Sequence, residues 1–133
     1  MARLTNIDLD VQVFRGDSAT ITLGLTRPDA NGKPQAFPIA TMTHEVWVTV
    51  KSNAGETDGE AVIRKKLSNP GDMVIRAAPN DWIVDVTIPA GETAFLDPGR
   101  YVYDAQVKVL ASSEVRTMAV GRFEVLPDVT REF

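Results

Sequence analysis

Few folds can accommodate residues 97–127, DPGRYVYDAQVKVLASSEVRTMAVGRFEVLP, because the stretch alternates with period two along almost its whole length. Tyr101, Tyr103, Ala105, Val107 and Val109 take the odd positions, and Asp104, Gln106 and Lys108 lie between them. Successive side chains of a strand point to opposite faces, so this pattern gives one dry face and one wet face. After a short polar turn, Ala111-Ser112-Ser113, the alternation resumes. Val115, Ala119, Phe123 and Val125 fall on one face, and Arg116, Arg122 and Glu124 on the other. The stretch predicts a long β-hairpin onto which the other strands pack.

The start of this hairpin carries a finer signal. Asp97-Pro98-Gly99-Arg100-Tyr101-Val102-Tyr103 has the D-x-G-x-Y spacing of a tyrosine corner, with Tyr103 where an immunoglobulin domain has its cysteine. The spacing predicts a Pro-Gly turn followed by a buried Tyr101 whose hydroxyl bonds backbone in the preceding loop. Asp97, Gly99 and Tyr101 are thus assigned as a structural corner.

The rest of the chain reads as further short strands. Val11 and Val13 alternate with Gln12 and Phe14, and Ile21, Leu23 and Leu25 point inward between Thr20, Thr22 and Thr26. Val46, Val48 and Val50 share a face; Trp47 lies on the other with Glu45, Thr49 and Lys51, unlike the core Trp of immunoglobulin domains. A weak strand interrupted by Arg64-Lys65-Lys66 suits a charge-protected sheet edge. Trp82, Val84, Val86 and Ile88 define a central strand closed by Pro89, and residues 89–96 suit one helical turn that tucks Phe95 and Leu96 under the sheets. About eight strands joined by Gly, Pro and Asn turns, with no long amphipathic helix, predict an all-β, immunoglobulin-like two-sheet β-sandwich. The expected division is an N-terminal arm (1–8), one sandwich domain (9–127) and a C-terminal tail (128–133), within the size of a single domain.

Composition excludes several classes of chemistry. The chain has no cysteine and one histidine, so disulfide frameworks, thiolate metal sites and cysteine nucleophiles are ruled out. His44 lacks a second imidazole with which to share a metal, and local hydrogen bonds are its expected partners. Fourteen basic residues against eighteen acidic give a net charge of −4 with no basic stripe, which argues against nucleic acid. No apolar run approaches the roughly 20 residues needed to cross a bilayer, and the N-terminus lacks a secretory signal's apolar core. Arg15-Gly16-Asp17 reads as a turn in preference to an adhesion motif, and the Asp29–Gly32 segment departs from a calcium loop in both glycine position and closing glutamate. Nucleophile–base pairs and phosphate-cradling loops are missing. The remaining catalytic option is a carboxylate pair of Asp85 and Asp104, should their strands be neighbours. The expectation is a non-enzymatic chain without cofactor or metal.

Taken in order, the Gly-Asp turn and following strand (Gly16 to Leu23), N-G-K-P (Asn31 to Pro34), the valine strand, P-A-G-E-T (Pro89 to Thr93), P-G-R-Y-V-Y-D (Pro98 to Asp104) and V-R-T-M-A-V-G-R-F-E-V-L-P-D-V-T-R (Val115 to Arg131) form a pattern. It resembles the small immunoglobulin-like virion proteins of tailed bacteriophages, including the N-terminal domain of baseplate upper proteins, from about Val11 to Arg131. The resemblance implies a structural virion component (capsid decoration, head–tail or baseplate/tail adaptor), made in the host cytoplasm. Its implied partners are other virion proteins, such as major capsid, tail or baseplate proteins, in a homo-oligomer or symmetric array. That domain is reused on heads, tails and fibres, so no position in the particle follows. Apolar or terminal residues without an evident home in the sandwich are the candidate interface: Leu4, Ile7, Trp47, Arg131 and Phe133. The alternative is a carbohydrate-binding or host-surface-binding module that would use Trp47 as a stacking platform.

Overall fold

The structure, a computed structural model, describes residues 10–53 and 60–127. In chain order these form β1 (Val11–Phe14), β2 (Ala19–Gly24), β3 (Thr26–Pro28), β4 (Pro34–Ala36), β5 (His44–Lys51), β6 (Ile63–Lys66), β7 (Met73–Ile75), β8 (Ile83–Ile88), α1 (Ala90–Thr93), β9 (Gly99–Val109) and β10 (Glu114–Leu126). The long alternating run folds into the β9–β10 hairpin, which forms the middle of a five-stranded sheet of order β1-β10-β9-β5-β6. A three-stranded sheet of order β2-β8-β7 supplies the second layer. With β2, β7 and β8 as strands B, D and E, and β5, β6, β9 and β10 as C, C′, F and G, this is the immunoglobulin-like division of strands. The domain is an all-β two-sheet sandwich.

One hydrophobic cluster joins the layers. Ile21, Leu23, Val84, Val86 and Ile88 from the smaller sheet meet Val46, Val48, Val50, Tyr103 and Phe123 from the larger, all nearly or fully buried. Each such side chain contributes roughly 1.5–3 kcal/mol relative to exposure, so the alternation read from sequence accounts for the dominant stabilising term. Trp47 lies outward, as its parity requires, and β6 is the sheet edge that its charges indicate.

Three features differ from the sequence reading, each for a local reason. There are ten strands among the described residues where about eight were expected. The extra pair comes from the connection between β2 and β5, where Thr26 to Pro28 pairs antiparallel with Pro34 to Ala36. The turn of this small hairpin is tied by Asp29, whose Oδ1 accepts the Asn31 and Lys33 amides at 2.8 and 2.9 Å. That carboxylate oxygen is occupied by its own loop, as in other Asx turns.

Val115 was expected inside and is 48% exposed. The register against β9 shifts between Thr117 and Ala119, leaving Met118 as an extra residue. A bulge of this kind reverses side-chain parity on one side of it. Before it, Glu114 lies opposite Val109 and Arg116 opposite Val107, so the even residues share the inward face; after it, Ala119, Phe123 and Val125 do.

Phe95 was expected under the sandwich and is 89% exposed, whereas Leu96 is 6% exposed. In a helical turn, residues three apart share a face. Thr93 is wholly buried, which sends Leu96 inward with it and turns Phe95 out.

Candidate functional site

The parity reversal puts charge at the end of the sandwich where the β9–β10 hairpin turns. There Arg27 of β3, Phe37 just past β4 and His44 at the start of β5 face Val109 of β9 and the bulged arm of β10, around a cleft of about 280 Å³. Glu114, Arg116 and Met118 form the β10 wall. On the opposite wall the Arg27 guanidinium lies 5.1 Å from the centre of the Phe37 ring, and Phe37 meets the His44 ring edge to face at 5.6 Å and 85°. The cation–π contact fixes the direction of Arg27 without using its N–H donors. Among the described residues Arg27 has no carboxylate partner. Arg116 has one: its guanidinium donates to Glu114 Oε2 at 3.2 Å.

His44 is anchored through Nδ1, 2.7 Å from Thr43 Oγ1 and 3.5 Å from the Ala40 amide, as expected of a lone histidine with local partners. Burial lowers its pKa below the ordinary 6.5, so the ring is neutral at pH 7. Two guanidinium groups and one carboxylate then leave the cleft with one net positive charge, over a floor of Val109 and Met118. The volume is just under the range of pockets that enclose drug-sized ligands, and suits one or two side chains of a partner.

The residues picked out from sequence lie elsewhere. Trp47 is half-buried on the outer face of the five-stranded sheet, opposite Gln106 and Lys66, with the Lys108 ammonium 6.0 Å from its ring centre. At the far end of the hairpin, Gly99 has φ +154°, a region that favours glycine, and the Tyr101 hydroxyl donates to the Asp97 carbonyl oxygen at 2.7 Å. That is the geometry of a tyrosine corner. Leu4, Ile7, Arg131 and Phe133 lie outside the described residues, as do the arm and the tail.

Asp85 and Asp104 do not form a pair, because they sit on different sheets. Asp85 accepts Thr22 Oγ1 at 2.8 Å and two Arg76 donors at 2.8 and 3.0 Å; Asp104 accepts Thr49 Oγ1 at 2.9 Å. The Arg15-Gly16-Asp17 turn is likewise held inward. Arg15 Nε donates to the Leu96 carbonyl at 3.0 Å, and the Thr93 hydroxyl accepts the Gly16 amide at 3.1 Å while donating to the Asp17 carbonyl at 2.7 Å. Among the described residues no group of three or more His, Asp or Glu side chains is placed to hold a metal ion.

Sequence reasoning missed Arg27, Phe37, Glu114 and Arg116 as a group. The signal was the run Met118-Ala119-Val120, three apolar residues in succession inside an otherwise alternating strand, which marks the slip in parity.

Comparison with protein-family models and with curated proteins gave no match. Among solved structures, CopC from Methylosinus trichosporium OB3b is similar, with 13% sequence identity, a TM-score of 0.45, and 94% of this chain and 91% of that chain covered. A likeness at that level carries no argument about function.

Proposed function

We propose that this chain is a non-enzymatic structural component of a tailed-phage virion, a decoration protein or adaptor that acts through protein–protein contacts with other virion proteins and with copies of itself. The virion part of the reading comes from the sequence resemblance. The observation that supports a role in assembly is that five of the eight exposed large apolar side chains among the described residues lie toward the two ends of the sandwich, the others being Val62, Val74 and Val120. Met42 (89% exposed), Leu110 (46%) and Val115 (48%) lie at the hairpin end, and Phe14 (49%) and Phe95 (89%) at the opposite end. The Leu110 amide donates to the Thr43 carbonyl at 3.0 Å, which holds the Met42 loop against the hairpin turn. Scattered surface apolar residues need no explanation, but grouped ones favour contact with a partner. A subunit with such groups at two opposite ends is suited to joining two neighbours.

The carbohydrate-binding alternative has less support. Trp47 is half-buried with Lys108 against its ring, which leaves little free face for a sugar to stack on. The deciding experiment is immunogold electron microscopy with an antibody against the purified protein, applied to phage particles from cells that encode it. Label on the head indicates a decoration or head–tail role, and label at the tail tip a baseplate role. Particles that remain unlabelled both intact and disrupted would overturn the virion reading.

A further inference from the structure

We propose that the cationic cleft receives the Phe95 ring of a second copy of this chain, with Asp97 of that copy meeting Arg27. The knob is built where α1 ends. Phe95 is 89% exposed, yet its backbone is fixed. Its amide donates to the Glu92 carbonyl at 3.3 Å, and the buried Leu96 that follows donates its amide to the Thr93 carbonyl at 3.1 Å. The 15–17 turn braces the same segment, through Arg15 Nε on the Leu96 carbonyl and through the Thr93 hydroxyl. An aromatic side chain on so fixed a backbone gives up little freedom on binding. It does not fill the cleft of its own subunit. β9 runs 11 residues from Gly99, just past the knob, to Val109 in the cleft wall, which at about 3.3 Å per step is roughly 33 Å. Met118 lies between the partners of Ala105 and Gln106, so even the cleft floor is about 20 Å along β9 from Gly99. A Phe95 ring in a cleft therefore belongs to a neighbour.

The two ends are complementary in charge and in size. Asp17 and Asp97 flank the knob, both exposed, and neither carboxylate has a cationic partner among the described residues. Arg15 lies beside them, and Arg100 is offset by Glu124 at 3.9 Å. Arg15, Asp17 and Asp97 thus give the knob end one net negative charge, against the one net positive charge around the cleft. In the cleft the Arg27 guanidinium is oriented by Phe37 and has no carboxylate partner among the described residues. Met118, 2% exposed, and Val109 offer the ring an apolar floor. A cavity of about 150 Å³ is enough for a benzene ring, so a cleft of about 280 Å³ holds a phenyl group with room for a carboxylate beside it. Exposed Met42 and Leu110 at one end and Phe14 at the other add apolar surface to the contact. Because knob and cleft are different surfaces at opposite ends, the contact is heterologous, and it repeats as a ring or a filament depending on the rotation per subunit.

This inference deepens the assembly reading and rests on it for the existence of contacts between copies. Its test is sedimentation velocity on the purified chain, over a concentration series reaching about 1 mM, the weak end of specific binding. Wild type should associate as concentration rises. Phe95→Ala should raise the midpoint concentration at least about tenfold, because burying a phenyl side chain is worth that factor or more. Arg27→Glu should do the same by setting like charges against one another. Both side chains are exposed, and thermal melts check that both variants are folded. The key measurement is the mixture. The Arg27→Glu chain keeps an intact knob and the Phe95→Ala chain an intact cleft, so the two together should form dimers and nothing larger. A wild-type protein that stays monomeric, association unchanged by either substitution, or a mixture that stays monomeric or grows past dimers would overturn the proposal. Immunogold labelling reads the virion role separately: labelled particles with a monomeric protein would sink the knob-and-cleft contact alone, and unlabelled particles with an associating protein would sink the virion reading alone.

Discussion

Lys65 and Glu92 offer a test in which two substitutions of one ion pair should have unequal effects. Lys65 sits on the edge strand β6 opposite Val48, which turns its side chain toward the core, and it is 6% exposed. Its ammonium lies 2.6 Å from Glu92 Oε2 and 4.0 Å from Asp72 Oδ1. Replacing Glu92 with Ala strands a charge in a place with little water. Breaking a fully buried pair costs about 3–5 kcal/mol. The Glu92 side chain is 40% exposed, and Asp72 still provides some attraction, so the expected loss falls to about 2 kcal/mol, within the range for a hydrogen bond to a charged group. For a domain of this size that corresponds to a drop in Tm of roughly 5–8 °C. Lys65→Met keeps the unbranched stem and removes the charge together with its need for solvation. Replacing a buried charge with a well-packed apolar group is often neutral or stabilising, so this variant should stay within about 1 kcal/mol of wild type. Urea unfolding followed by fluorescence of Trp47 and Trp82 measures both, and m-values equal to wild type would show that the denatured state is unaffected. In the double variant Lys65→Met/Glu92→Ala most of the Glu92→Ala loss should disappear. Equal losses in the two single variants, or no loss in Glu92→Ala, would refute the claim that an inward ammonium depends on this carboxylate.

The other predictions concern the corner, the end of α1 and two titrations. Tyr101→Phe removes the bond to the Asp97 carbonyl and should cost about 1 kcal/mol in urea unfolding; an unchanged midpoint would show that the corner bond adds nothing. Thr93→Val fills the same space but removes the hydroxyl that the Gly16 amide and Asp17 carbonyl share in part-buried bonds, so it should cost about 1 kcal/mol and loosen the 15–17 turn to proteolysis. Burial pushes the Tyr103 hydroxyl up to about 12, and burial also raises Tyr101. Because the folded value of Tyr103 is raised, its contribution to stability is complete below pH 10 and is lost as pH rises toward 12; absorbance at 295 nm should show tyrosinate in the denatured chain at pH values where the native chain shows little. The Arg76 guanidinium, bonded to the Asp85 carboxyl, holds that carboxyl below its usual 3.8, so the stability it gives is present above that pH and lost as pH falls through the folded value. Asp85→Asn should flatten the acid limb of a stability-versus-pH curve, and an unchanged limb would remove this pair from the account.

The parts of the fold that were legible are those where a single rule acted on neighbouring residues. Alternation gave the faces of β2, β5, β8 and β9, and the D-x-G-x-Y spacing led to Tyr101, because strand parity and turn chemistry are local. The cleft was not legible because it depends on which strands meet. Arg27 and Phe37 lie far from Arg116 in sequence, and their meeting follows from a short β3–β4 hairpin that no periodicity announced. Phe95 was misplaced because a helical turn of four residues offers too few positions to define its phase. Lys65 shows a further limit. As one of three basic residues in a row it looked like a solvated edge, and only the register against Val48 reveals that the middle one points inward, which is itself a way of protecting an edge strand.

The bulge at Met118 links these observations. Were β10 to keep one parity throughout, Val115 would continue the apolar face of Ala119, Phe123 and Val125 and help close the hairpin end of the core. The extra residue instead turns Val115 into water and brings Glu114 and Arg116 to the inward face, beside Arg27 and His44. That exchange gives up apolar burial on the longest strand of the domain: the three-stranded sheet ends at Gly24 and Ile83, and what faces the bulged arm beyond it is the short β3–β4 hairpin with Arg27 and Phe37. Bulges are found where a strand must re-aim a side chain. Here the re-aimed groups are a carboxylate and a guanidinium at an open end, next to exposed Met42 and Leu110. The strand that shapes the sandwich therefore also shapes the charged end around Arg27, with Met118 marking the change from one face to the other.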